Sequence, residues 1–90
     1  MGLEMVEIIM EVEDHFGVSV PDDAASNCIT VADLQRVVVD LLVRRGRTRS
    51  ADLEAEVFAD LVSIIAEETG LKASDVRPES KWIGDITQYG

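Results

Sequence analysis

LEMVEIIMEVEDHF, residues 3–16, has a pattern that only a helix uses well. At about 100° per residue, Glu4, Glu7, Glu11 and Asp14 share one face. Met5, Ile8, Ile9, Val12 and Phe16 form a broad apolar stripe on another side, wide enough to dock on a core. Leu3, Val6 and Met10 make a second apolar strip, between the acidic face and Glu13. Covering a core does not require that strip. Either a second neighbouring helix buries it or a partner does, and small bundles often bury helices on two sides, which favours the neighbour.

The rest of the chain supplies such neighbours. Gly17 ends the first helix, and His15 sits in its last turn, where positive charge suits the dipole. With no Ser, Cys or second metal ligand nearby, His15 reads as a capping or surface residue. Pro21, Asp22 and Asp23 open a short helical turn, without the spacing or terminal Glu of a calcium loop. Cys28 reads as a small apolar residue under that turn, and its acidic neighbourhood disfavours the thiolate. Thr30 starts the next helix, with Asp33 as a weaker capping box. Val31, Leu34, Val38, Leu41 and Leu42 keep helical spacing through Arg45, so the β-branched run Val37–Val39 is read as helix. Gly46 stops it, and GRTRS, residues 46–50, has the composition of a linker.

Ser50 caps a third long helix, with Asp52, Glu54 and Glu56 in its first turns. Val57, Leu61, Ile64 and Ile65 make its main stripe, widened by Phe58 and Val62, and Gly70 ends it. Residues 71–90 hold no long helix. Leu71, Val76, Trp82, Ile83 and Ile86 are spaced as the anchors of a long loop. Three long helices, one short helix and an anchored loop specify an all-α four-helix bundle, one domain over residues 1–90.

Ninety residues are too few for an enzyme with a deep, walled active site, and no nucleophile, base and orienting group converge. A net charge of −10 argues against nucleic acid and suits basic protein surfaces. Residues 1–35 contain no Lys or Arg, whereas Arg36, Arg44, Arg45, Arg47 and Arg49 follow closely. The single cysteine cannot form an internal disulfide, which points to a reducing compartment. No apolar run approaches the ~20 residues of a membrane span, and no signal peptide opens the chain. The expectation is a soluble, cytoplasmic protein with neither a membrane nor a nucleic-acid partner.

LEMVEIIMEVEDHFGVSVPDD, followed by ITVADLQRVVVDLL, resembles the second half of an acyl carrier protein. In that family an Asp-Ser-Leu motif starts the second helix and an acidic recognition surface follows. FADLVSIIAEETGLKASDVRPESKWIGDI resembles the first half, helix one and the long loop leading to the motif. The halves stand in reversed order: residues 1–45 match the second half, 46–50 join, and 51–90 match the first. Joining Gly90 to Met1 closes the domain, so the resemblance implies a circularly permuted bundle of carrier-protein type. The rival is a fragment of a tandem array, but one copy of each half, complementary without overlap, favours permutation. A monomer is expected, with a domain-swapped dimer as the alternative assembly.

The family carries acyl groups as thioesters on 4′-phosphopantetheine attached to the motif serine. Here Leu3 matches the motif leucine, Gly2 takes the serine position and Met1 the aspartate position. Glycine has no hydroxyl, so the resemblance implies no cofactor on this chain, and no catalytic or metal residues are expected. Ser19, Ser26, Ser50, Ser63, Ser74 and Ser80 lie outside any Asp-Ser-Leu setting. Glu4, Glu7, Met10, Glu13 and Asp14 match recognition-helix positions. Val6 and Met10 then form the apolar centre of an acid-rimmed docking site. The implied role is non-catalytic: docking to basic surfaces of synthase or transferase enzymes in fatty-acid or polyketide synthesis. The alternative is an interaction module that keeps the fold alone.

Overall fold

In the computed structural model the chain is described over residues 3–86, with side chains from Met5 onward. Gly2 and the expected nearness of Gly90 to Met1 lie outside the described residues. Four helices follow in order: α1 (Leu3–Phe16), α2 (Asp22–Ser26), α3 (Val31–Arg44) and α4 (Ala51–Thr69), then a 3₁₀ turn at Ala73–Asp75. An isolated antiparallel bridge pairs Thr30 with Lys81. The architecture is the all-α four-helix bundle that the periodicity specified.

Local chemistry sets the helix ends. Thr30 and Asp33 form a complete capping box, in which Thr30 Oγ1 accepts from the Asp33 amide at 3.3 Å. The Asp33 carboxylate accepts in return from the amides of Ile29 (2.9 Å) and Thr30 (3.0 Å). Those two amides hold the Asp33 carboxyl below the usual range for a carboxylate. Ser50 Oγ accepts from the Leu53 amide at 3.1 Å and starts α4. Gly70, at φ +79°, ends α4 in the left-handed conformation that glycine adopts without a steric cost. Pro21 stands one residue ahead of α2, at its cap position rather than in its first turn.

The core is arranged around α4. Leu53, Val57, Leu61, Ile64 and Ile65 of this 19-residue helix are buried. α1, with Met5, Ile8, Ile9 and Val12 buried, and α3, with Val31, Leu34, Val38, Val39 and Leu42 buried, both pack chiefly on α4. The reason lies in α4 itself, whose stripe is widened by the partly buried Phe58 and Val62 and so serves two neighbours.

Residues 70–86 are pinned to the start of α3. The first amides of a helix have no intrahelical acceptor. Here those of Val31 and Ala32 donate to the carbonyls of Ser80 and Pro78, both at 2.9 Å. The Trp82 amide donates to Ile29 O at 3.0 Å, and its indole Nε1–H donates to Thr30 O at 2.9 Å. Val76, Trp82 and Ile86 are buried as expected, and Leu71 packs against the core. Ile83 is not an anchor. It is 67% exposed, whereas Trp82 beside it is buried and takes the inner position at the start of a turn in which the amides of Asp85 and Ile86 donate to Lys81 O.

Removing the side chain of Leu61, which is wholly buried, should therefore cost about 2–5 kcal/mol. Ile83→Ala should stay within about 0.5 kcal/mol of the parent chain. Urea unfolding of both variants measures the difference, and equal losses would contradict this assignment of anchors.

Candidate functional site

Once α1 has turned Met5, Ile8, Ile9 and Val12 inward, helical geometry fixes what it turns outward. Val6 is 41% and Met10 58% exposed, one turn apart. No neighbouring helix buries Val6 or Met10, so for these two residues the first of the two explanations offered by the sequence fails. Glu7, Glu11 and Asp14 are exposed beside it. The backbone of Leu3 and Glu4 continues the helix, while their side chains lie outside the described residues.

Glu13 sits differently from the rest of the predicted set. It is half-buried, and its Oε2 accepts from the Val20 amide at 2.7 Å. That carboxylate holds the α1–α2 connection, with the Glu13 carbonyl also accepting from the amides of Gly17 (2.9 Å) and Val18 (3.2 Å). One oxygen of Glu13 is thus committed to the fold. His15, at the far end of α1, is an exposed surface residue whose Nε2 lies 3.1 Å from Asp60 Oδ2 on α4.

The charges of this face are not neutralised. Arg36 pairs with Asp33 at 3.5 Å, Arg47 with Glu56 at 3.2 Å, and Arg49 with Asp40. Among the described residues no Lys or Arg pairs with Glu7, Glu11 or Asp14. α4 adds further negative charge, since Glu67 and Glu68 occupy its last turn next to α1. Partial burial, and then the carboxylates of Glu11, Glu7 and Glu67, push the Glu68 carboxyl above its ordinary value. The contribution of α4 was not anticipated, because it depends on how two helices pack. One signal was available: two acids at a helix C-terminus oppose the macrodipole.

Cys28 lies half-buried between α2 and α3, and its Sγ–H donates to Ala24 O at 3.3 Å. It borders a shallow groove of about 250 Å³ with Asn27, Arg36 and Asp40. Burial, and then the Asp33 charge, push the thiol above its ordinary value, so thiolate chemistry is disfavoured. No group of three or more His, Cys, Asp or Glu among the described residues is placed to hold a metal ion. No helix there is long and apolar enough to cross a membrane. The chemistry available on α1 is recognition: an apolar strip within fixed negative charge.

Over 37 residues the chain is similar to acyl carrier proteins. It is 44% identical to the acyl carrier protein of Sinorhizobium fredii (strain NBRC 101917 / NGR234) over 41% of this chain and 47% of that protein. Identity and coverage are the same for the acyl carrier protein AcpP of Rhizobium meliloti (strain 1021). The chain thus spans just under half the length of the curated relatives it matches. No family model matches it, and no solved structure does.

The cost of ionising Glu68, from partial burial first and neighbouring carboxylates second, has a sign that can be measured. Because the folded state raises the Glu68 carboxyl, it holds the proton more firmly than the unfolded chain does. Stability is therefore lost as pH rises from the unfolded value, about 4.3, through the higher folded one. Glu68→Gln should raise the thermal midpoint at pH 7, and the gain should shrink as pH falls through that window. A gain that persists unchanged at pH 3 would show that the effect is not electrostatic.

Proposed function

We propose that this chain is an acyl-carrier-like domain whose role is docking rather than catalysis, with α1 as the surface that partner enzymes read. The exposed Val6–Met10 strip carries this reading, set among carboxylates that no Lys or Arg neutralises among the described residues. The partial similarity to acyl carrier proteins supports it independently. The partners are synthase or transferase enzymes of fatty-acid or polyketide synthesis that present a basic surface with an apolar centre. Charge attraction steers encounter and fixes orientation, while burial of Val6 and Met10 supplies the short-range contact.

The docking set is Glu4, Val6, Glu7, Met10 and Asp14, extended by Glu11 and by Glu67 and Glu68 of α4. Glu13 contributes charge while holding the loop behind the helix. In this reading the two halves of a carrier domain stand in permuted order, with residues 46–50 as the joint. Gly2 occupies the position of the serine that would bear 4′-phosphopantetheine. Lacking a hydroxyl, it gives the arm no point of attachment, so the chain engages the enzymes without carrying the acyl group.

The test is affinity for a ketosynthase that accepts acyl carrier proteins, measured calorimetrically at low and raised salt. Glu7→Lys with Asp14→Lys should weaken binding about tenfold, equivalent to about 1.4 kcal/mol, and flatten its salt dependence. Val6→Ala with Met10→Ala should weaken it comparably while leaving the salt slope in place. Binding unchanged by both pairs, in variants that keep their helix content, would remove α1 as the interface.

A further inference from the structure

We propose that the arginine-rich strap between α3 and α4 is a processing site for an arginine-directed endoprotease, and that the two products remain one folded domain. This inference is independent of the docking role of α1. Arg44, Arg45, Arg47 and Arg49 fall within six residues, and residues 44–50 are all exposed. Such a protease recognises a guanidinium with a buried carboxylate and needs the substrate backbone extended and free.

The backbone singles out two bonds. The amides of Arg45, Gly46 and Arg47 donate to carbonyls of Leu41, Leu42 and Val43, which ties the first part of the strap to the end of α3. Beyond them, Thr48 and Arg49 make no backbone hydrogen bond among the described residues, and Ser50 is extended at φ −159°. The bonds after Arg47 and after Arg49 are therefore the accessible ones. In either hydrolysis the amide C–N bond breaks, the arginine carbonyl carbon takes the water hydroxyl and the released nitrogen takes the proton.

Other basic positions are held. Arg36 lies within α3, and Arg77 precedes Pro78 with its amide bound to Ser80 Oγ at 2.9 Å. The Lys81 amide donates to Asp85 Oδ2 at 2.9 Å, and the next amide donates to Ile29 O. Lys72 leads directly into the 3₁₀ turn, its carbonyl accepting from the Asp75 amide at 2.9 Å.

After cleavage the halves still share the core, because α4 belongs to one product while α1 and α3, which pack on it, belong to the other. The bonds of Val31 to Ser80, Ala32 to Pro78 and Trp82 to Ile29 and Thr30 also run between products. A further bond joins them where Gln35 Nε2 donates to Glu54 O at 2.8 Å. A cut after Arg47 leaves the exposed pairs Arg47–Glu56 and Arg49–Asp40 reaching between products, a cut after Arg49 keeps Arg49–Asp40 within the first product, and either cut gives up the advantage of a short tether.

The test is limited digestion of the full chain with trypsin, followed by intact mass and size-exclusion chromatography. The first cut should fall after Arg47 or Arg49. Both products should then elute together at the volume of the uncut chain, with a thermal midpoint that now rises with protein concentration. Arg47→Gln with Arg49→Gln, on the exposed strap, should slow that first cut at least tenfold and leave the helix content unchanged. A first cut at Lys72 or Lys81, products that elute apart, or a double variant cut as fast as the parent would each overturn the proposal.

Discussion

Two apolar sides on one helix place everything else in this molecule. α4 buries Leu53, Val57, Leu61, Ile64 and Ile65, with Phe58 and Val62 partly covered, and this surface receives both α1 and α3. Neither of those 14-residue helices has a comparable second partner. Short helices are marginal on their own and gain stability by packing an apolar face. The loop after α4 then reaches across to cap the amides of Val31 and Ala32, tying parts of the chain about fifty residues apart. A domain of this size buries a modest fraction of its surface, so loss of either element of this frame is expected to be felt throughout.

Most of this fold was legible in the sequence because helix signals are local. The Thr30–Asp33 box, the Ser50 cap and the glycine ends are read within four residues of themselves, and α3 and α4 begin, and α1, α3 and α4 end, close to those signals. The central place of α4 was not legible, since periodicity gives the width of a stripe and not the number of neighbours it meets. The same limit explains Ile83, which has the composition of an anchor but follows a tryptophan that takes the inner position. Glu13 illustrates a third case. Its spacing matches the acidic face, yet one oxygen accepts from the Val20 amide in a turn that the helix pattern does not describe.

The candidate site was partly legible for the opposite reason. A strip that the core does not need, Val6 and Met10, is visible in the helical pattern, and the fold leaves it uncovered. What the pattern lacked was the electrostatic setting. Arg36, Arg47 and Arg49 are drawn into pairs on α3, α4 and the strap, while Glu67 and Glu68 crowd the face that already holds Glu7 and Glu11. Unpaired like charges oppose compactness and favour a partner of opposite sign. That is the physical basis for reading α1 as a surface to be recognised, and the resemblance to acyl carrier proteins gives that surface its proposed partners.

The order of the two halves is the point on which the proposal turns, and it can be tested by changing connectivity alone. A chain in which Gly90 is joined to Met1 through a short glycine–serine joint, with new ends opened between Arg47 and Thr48, contains the same helices and the same core. Termini at an exposed strap are tolerated when few contacts cross it. The measurement is the urea unfolding curve of the rearranged chain, followed by the fluorescence of the buried Trp82. A permuted carrier domain predicts one cooperative transition with a slope close to that of the parent, because the slope follows the surface exposed on unfolding. A chain that stays helical but unfolds without cooperativity, or that exposes Trp82 before denaturant is added, would show that these halves do not close into one domain in that order.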